Sequence, residues 1–92
     1  MNHVAVITGA AQGIGRRTAQ VLNEQGWSLL LLDLQAVDAS EYASSFALAG
    51  DISDEQFVES AATLCMEKFG RVDALVNNAG ISCISSALDT SA

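Results

Sequence analysis

Two short unbroken apolar runs, Val4-Ala5-Val6-Ile7 and Leu29-Leu30-Leu31-Leu32, constrain this chain more than any other feature. A strand with one face in water alternates apolar and polar residues. An uninterrupted run too short for a buried helix therefore fits a strand covered on both faces of a parallel sheet. The first run stops at Thr8-Gly9 and the second at Asp33. Two further runs repeat the pattern: Phe46 to Ala49 leads to Gly50-Asp51, and Val72 to Val76 leads into Asn77-Asn78-Ala79-Gly80.

Helical spacing fills the gaps between these runs. Ile14, Thr18, Val21 and Leu22 recur on one helical face, with Arg16, Arg17, Asn23 and Glu24 placed to meet water and Gly26 at the end. Ser53 with Gln56 has the form of a capping box, which predicts a second helix from about Asp54. Phe57, Ala61, Leu64, Cys65 and Phe69 share a face of that helix, and Gly70 ends it. Residues 35–45 carry weak periodicity and many turn formers, which predicts only a short or irregular helix. Strands alternating with helices in this way build an α/β fold, a doubly wound parallel sheet with helices on both faces. Right-handed crossovers favour the strand order 3-2-1-4 over four strands. That order sets the first and fourth strands side by side where the winding reverses. A crevice opens there beyond their carboxyl ends, and Gly9 to Gly15 and Asn77 to Gly80 both lie at it.

Composition removes several functions. The 92 residues, with 50% apolar, 16% charged and no proline, suit a single compact domain. Four basic against eleven acidic residues leave a net charge of −7, which repels nucleic-acid backbones and anionic lipid surfaces. No strictly apolar run exceeds four residues, far short of the roughly 20 that cross a bilayer, and no basic segment leads into an apolar one at the N-terminus. A soluble cytoplasmic protein is expected, with Cys65 and Cys83 reduced and no metal site, because the single His3 is remote from both cysteines.

The glycines carry the chemistry. Gly9, Gly13 and Gly15 occupy a strand-to-helix turn, where a bare backbone bends tightly and approaches a ligand. The helix opening near Gly13 presents N–H groups without intrahelical partners and a partial positive charge, a combination that suits a pyrophosphate. Oriented dipoles at contact distance hold an anion that the net charge disfavours from further away. The spacing is G-x-x-x-G-x-G, and the Arg16-Arg17 pair after Gly15 excludes a P-loop. Asp33 follows Gly15 by 18 residues, near the roughly 20-residue offset at which an acid accepts hydrogen bonds from an adenosine ribose. A carboxylate there also repels the extra phosphate of NADP, which favours NAD.

Thr8 to Gly15, Asp33, Asp51-Ile52 and Asn77-Asn78-Ala79-Gly80, in this order and at these intervals, resemble the short-chain dehydrogenase/reductase family. The resemblance covers essentially the whole chain and implies the N-terminal portion of a Rossmann-type NAD-binding domain over residues 1–92, with residues 81–92 an irregular tail. It implies that Gly9, Gly13 and Gly15 line the pyrophosphate turn, with Gln12 and Ile14 touching the cofactor there. Asp33 would hold the adenosine ribose, and Asp51 and Ile52 the adenine. Asn78, Ala79 and Gly80 would border the nicotinamide side, with Asn77 securing the central strand. Members preferring NADP often carry a basic residue where this chain has Gln12, so both markers favour NAD.

One family feature is missing. The Tyr and Lys four residues apart that such enzymes use with a Ser have no counterpart: the only Tyr is Tyr42, four before Phe46, and the only Lys is Lys68, four after Leu64. Ser82, Ser85 and Ser86 come too soon after Asn77-Asn78-Ala79-Gly80 to match the family's serine. By resemblance the chain stops where the catalytic half would start, and the complete enzyme would interconvert an alcohol and a ketone by hydride transfer. The fourth strand, unpaired on one side, would then drive self-association or pairing with a complementary C-terminal fragment. The alternatives are a noncatalytic nucleotide-binding or assembly module, and a fragment whose glycine loop binds nothing.

Overall fold

The computed structural model describes residues 3–77. Strand β1 spans Val4–Thr8, helix α1 Gly13–Glu24, β2 Ser28–Asp33, β3 Ser45–Ala49, helix α2 Glu55–Phe69 and β4 Ala74–Asn77. All pairings are parallel and the sheet order is β3-β2-β1-β4, as the alternation predicts. Thr8 stands beside both Leu32 and Asn77 in register, so the carboxyl ends of β1, β2 and β4 finish together.

Alternate residues of the two central strands feed two cores. Val4, Val6, Leu30 and Leu32 pack under α2 with Val58, Ala61 and Cys65. On the other face Ala5, Ile7, Leu29 and Leu31 meet Ala19, Ala10 and Tyr42. The four leucines of β2 are each at most 1% exposed. Burying each contributes roughly 1.5–3 kcal/mol, which makes β2 the apolar anchor of the sheet. Cys65 lies in the first core with its Sγ 3.7 Å from the Arg71 carbonyl, and burial pushes its thiol pKa up, so it behaves as a small hydrophobe.

The inner face of α1 differs from the expected Ile14, Thr18, Val21 and Leu22. Gly15 and Ala19 are the buried positions, Leu22 packs beside them, and Ile14 is 76% exposed. A helix that starts directly behind a tight turn runs close to its strand, so small residues face inward. The start of α2 is also one step from the expected box. Asp54, not Ser53, is the cap, its carboxylate accepting the Gln56 N–H at 3.0 Å. Ser53 instead donates from N–H and Oγ to Asp51 at 2.9 and 2.7 Å.

Residues 35–45 contain one 3₁₀ turn, Ala39–Glu41, and are held on α1 by specific contacts. Tyr42 is buried with Val37 beside it, Asn23 Oδ1 accepts the Ala43 N–H at 2.9 Å, and Arg16 pairs with Glu41 at 3.4 Å. At the opposite end of the sheet the exposed His3 ring lies 5.0 Å from the Trp27 ring, which packs against the second core.

Candidate functional site

The crevice at the ends of β1, β2 and β4 is built first by backbone conformation. Gly9 and Gly13 have φ of 65° and 64°, a region costly for residues with a Cβ, and these two reversals carry the chain from β1 into α1. Between them Ala10 is buried, and its N–H extends the β1–β2 ladder to the Leu32 carbonyl at 3.2 Å. The next amide, Ala11, donates to Asp33 Oδ2 at 3.0 Å. The predicted acid and the predicted turn therefore touch.

Beyond Ala11 the turn opens outward. Gln12 takes the N-cap position with no side-chain cap bond, and no acid stands in the first turn of α1. A Cβ on Gly13 would meet nothing within 4 Å, Ile14 is exposed, and the first helical bond, Arg16 N–H to the Gln12 carbonyl, is long at 3.5 Å. The positive end of α1 is thus left uncompensated by its own side chains in a chain of net charge −7. Gly15 is buried and faces the sheet, so its place is beneath the turn.

Asp33 ends β2 with Oδ1 accepting the Gln35 N–H at 2.9 Å. Leu34 beside it is 73% exposed, an apolar side chain on the rim that pattern reading missed, although an apolar residue directly after a strand-ending acid is visible in sequence. Asp51 is exposed, and the Ser53 hydroxyl, then the Ser53 N–H, lower its pKa. Ile52 is 8% exposed and belongs to the core under α2. On the β4 side the buried Thr8 Oγ1 donates to Asn77 Oδ1 at 3.2 Å and lies 3.4 Å from the Val76 carbonyl, tying β1 to β4 at the crevice floor. Asn78, Ala79 and Gly80, expected on the nicotinamide side, lie outside the described residues, as does Cys83.

The donor set fits an anionic dinucleotide: an uncapped helix start and a bare glycine for a diphosphate, and a carboxylate one amide away for a sugar. Among the described residues no group of His, Cys, Asp or Glu could hold a metal, and no helix is long and apolar enough to cross a membrane.

Comparison with known proteins points the same way. The short chain dehydrogenase family model matches residues 3–92. The chain is 47% identical over 87 residues to 3-hydroxyacyl-CoA dehydrogenase type-2 of Bos taurus, covering 89% of this chain and 33% of that protein. It superposes on 3-oxoacyl-[acyl-carrier protein] reductase from Brucella melitensis in complex with NAD with a TM-score of 0.76 at 27% identity, over 89% of this chain and 35% of that one. A metagenomic short-chain oxidoreductase in complex with NADP gives 0.75 at 31% identity, over 86% and 39%. The chain spans about a third of the length of the curated relatives it matches.

Proposed function

The chain belongs to the short-chain dehydrogenase family, and from that premise we propose that residues 1–92 form the N-terminal, NAD(H)-binding part of an oxidoreductase. The observation that carries this reading is the direct bond from the Ala11 N–H to the Asp33 carboxylate, which sets the glycine turn and the ribose acid at one crevice. Gly9, Gln12, Gly13 and Ile14 would receive the pyrophosphate, with Gly15 letting α1 sit close behind them. Asp33 would receive the adenosine ribose. Asp51, through its backbone and loop, and Ile52, from beneath, would bound the adenine. Asn78, Ala79 and Gly80 would border the nicotinamide.

Family neighbours hold either NAD or NADP. Asp33 and the uncharged Gln12 favour NAD in this chain, because a carboxylate at the ribose repels a 2′-phosphate. Bound NAD(H) would supply hydride transfer between an alcohol and a ketone in the whole protein. The Ser, Tyr and Lys for that step would come from chain beyond residues 1–92 or from a complementary partner. A second copy or a C-terminal fragment would pair along β4, which is the outermost strand on that side among the described residues. A reduced, buried Cys65 suits the cytoplasm.

Fluorescence titration of the chain with NADH and with NADPH tests the reading. Saturable NADH binding is expected, with NADPH weaker by about tenfold or more. Absence of a saturable signal up to millimolar NADH would overturn it.

A further inference from the structure

Asp33 is placed to act on more than a sugar. A carboxylate offers about four acceptor directions on its two oxygens. Two are engaged inside the chain, Oδ2 by the Ala11 N–H at 3.0 Å and Oδ1 by the Gln35 N–H at 2.9 Å. The amides of Ala10 and Ala11 are thus both fastened to the end of β2, the first to a backbone carbonyl and the second to the Asp33 side chain. After Ala11 the side-chain fastening stops: Gln12 caps α1 without a side-chain bond, and Gly13 has open space around it. The Ala11–Asp33 bond is the last such tie before the segment that faces a diphosphate.

We propose that Asp33 is a positioning residue for the glycine turn. Through the Ala11 amide it sets the path of Gln12, Gly13 and Ile14, while its remaining acceptor directions stay available to ribose hydroxyls. This rests on the NAD(H) reading of the same crevice and extends the acid's role from the sugar to the diphosphate half. Cofactor choice and turn order are then coupled. Removing the acid to admit a 2′-phosphate also frees the Ala11 amide, so Asp33→Ala loses NAD affinity without gaining NADP affinity.

The test uses the full chain and an NAD analogue lacking the 2′ and 3′ hydroxyls of the adenosine ribose, so that Asp33 has no sugar hydroxyl to bind. Positioning predicts that Asp33→Ala weakens this analogue on the order of tenfold, the value of a lost charge-assisted hydrogen bond. Asp33→Asn, whose one amide oxygen accepts from Ala11 only by turning its NH2 toward the Gln35 amide, weakens it less than Asp33→Ala does. A role confined to the sugar predicts no change, and removal of a negative charge alone predicts tighter binding of the anionic analogue. Either result overturns the proposal. Asp33→Leu replaces the alanine variant if that one does not fold. Amide hydrogen exchange in the ligand-free chain separates this proposal from the reading beneath it. Ala11 should exchange faster in Asp33→Ala than in wild type or Asp33→Asn, and equal rates in all three sink the positioning role. If the wild type binds no dinucleotide, the NAD(H) reading fails, and the Ala11 rates still decide what holds the turn.

Discussion

After β1 the chain enters α1 through Gly9 to Gln12, with no side-chain cap and no acid in the first helical turn. After β3 it enters α2 through Gly50 to Asp54, where the Asp54 carboxylate accepts the Gln56 N–H and Glu55 adds a second negative charge. Both loops begin with a glycine, for different reasons. Gly9 has φ of 65° and supplies a backbone reversal, whereas Gly50 is not among the positive-φ glycines and supplies room, since a Cβ there would run into the Phe57 ring. One helix start satisfies itself and stabilises the fold; the other is left open, which costs the chain a cap and leaves a place for an outside anion.

Giving α1 the cap that α2 already has should produce the largest effect. Gln12 has φ of −159° and ψ of 172°, an extended N-cap geometry that Asp also adopts. Gln12→Asp should stabilise the ligand-free chain by about 0.5–1 kcal/mol and weaken NADH by about tenfold or more, because its carboxylate occupies the anion's place. Urea unfolding and NADH titration measure the two sides. A variant that gains stability and keeps its NADH affinity would show that the open helix start is not where the diphosphate sits. Of comparable size, Gly50→Ala should destabilise by about 1–3 kcal/mol through overpacking against Phe57 while NADH affinity of the folded fraction holds. Adding Phe57→Leu should recover part of that loss; strict additivity of the two changes would place the cost elsewhere.

The contrast between the two helix starts was only half visible in the sequence. The runs at Val4–Thr8 and Ser28–Asp33 could be read because unbroken apolar strands need cover on both faces, and strand order followed from crossover handedness. The inner face of α1 escaped because Gly15 and Ala19 do the packing, while the conspicuous Ile14 is exposed. The cap of α2 slipped by one residue because Ser53 and Asp54 are both good caps, and Asp51 had already engaged Ser53. Asp33 was legible as a position, from its offset to the glycines. Its bond to Ala11 was not, since a backbone amide leaves no mark in a side-chain pattern. The docking of residues 35–45 on α1 rests on contacts by Tyr42, Asn23 and the Arg16–Glu41 pair, which no periodicity announces.

Taking the cap away from α2 is a smaller and more local change. Asp54→Ala should cost about 1 kcal/mol of stability, seen as a lower urea midpoint with unchanged slope, and leave NADH binding of the folded chain alone. Loss of NADH affinity would mean that the α2 start is coupled to the crevice and that the two turns are not independent.

The smallest effect is the one acid exposes at the entry to α2. Hydrogen bonds from Ser53 hold Asp51 below its ordinary pKa of 3.8, and Asp38 is lowered likewise by Ser40 and Asp73 by Arg71, then by the Val4 N–H. A carboxyl whose folded pKa is depressed contributes stability that is fully present above its unfolded value and is lost as pH falls through the folded one. Urea midpoints should therefore stay level down to about pH 4 and fall below it. Asp51→Asn should flatten part of that fall, because the carboxylate that braces the entry to α2 no longer titrates, whereas the first turn of α1 holds no acid to protonate. If Asp51→Asn keeps the full wild-type acid slope, the bracing of α2 by its own loop carboxylate is not part of what stabilises the fold, and the closed start of α2 rests on the Asp54 cap alone.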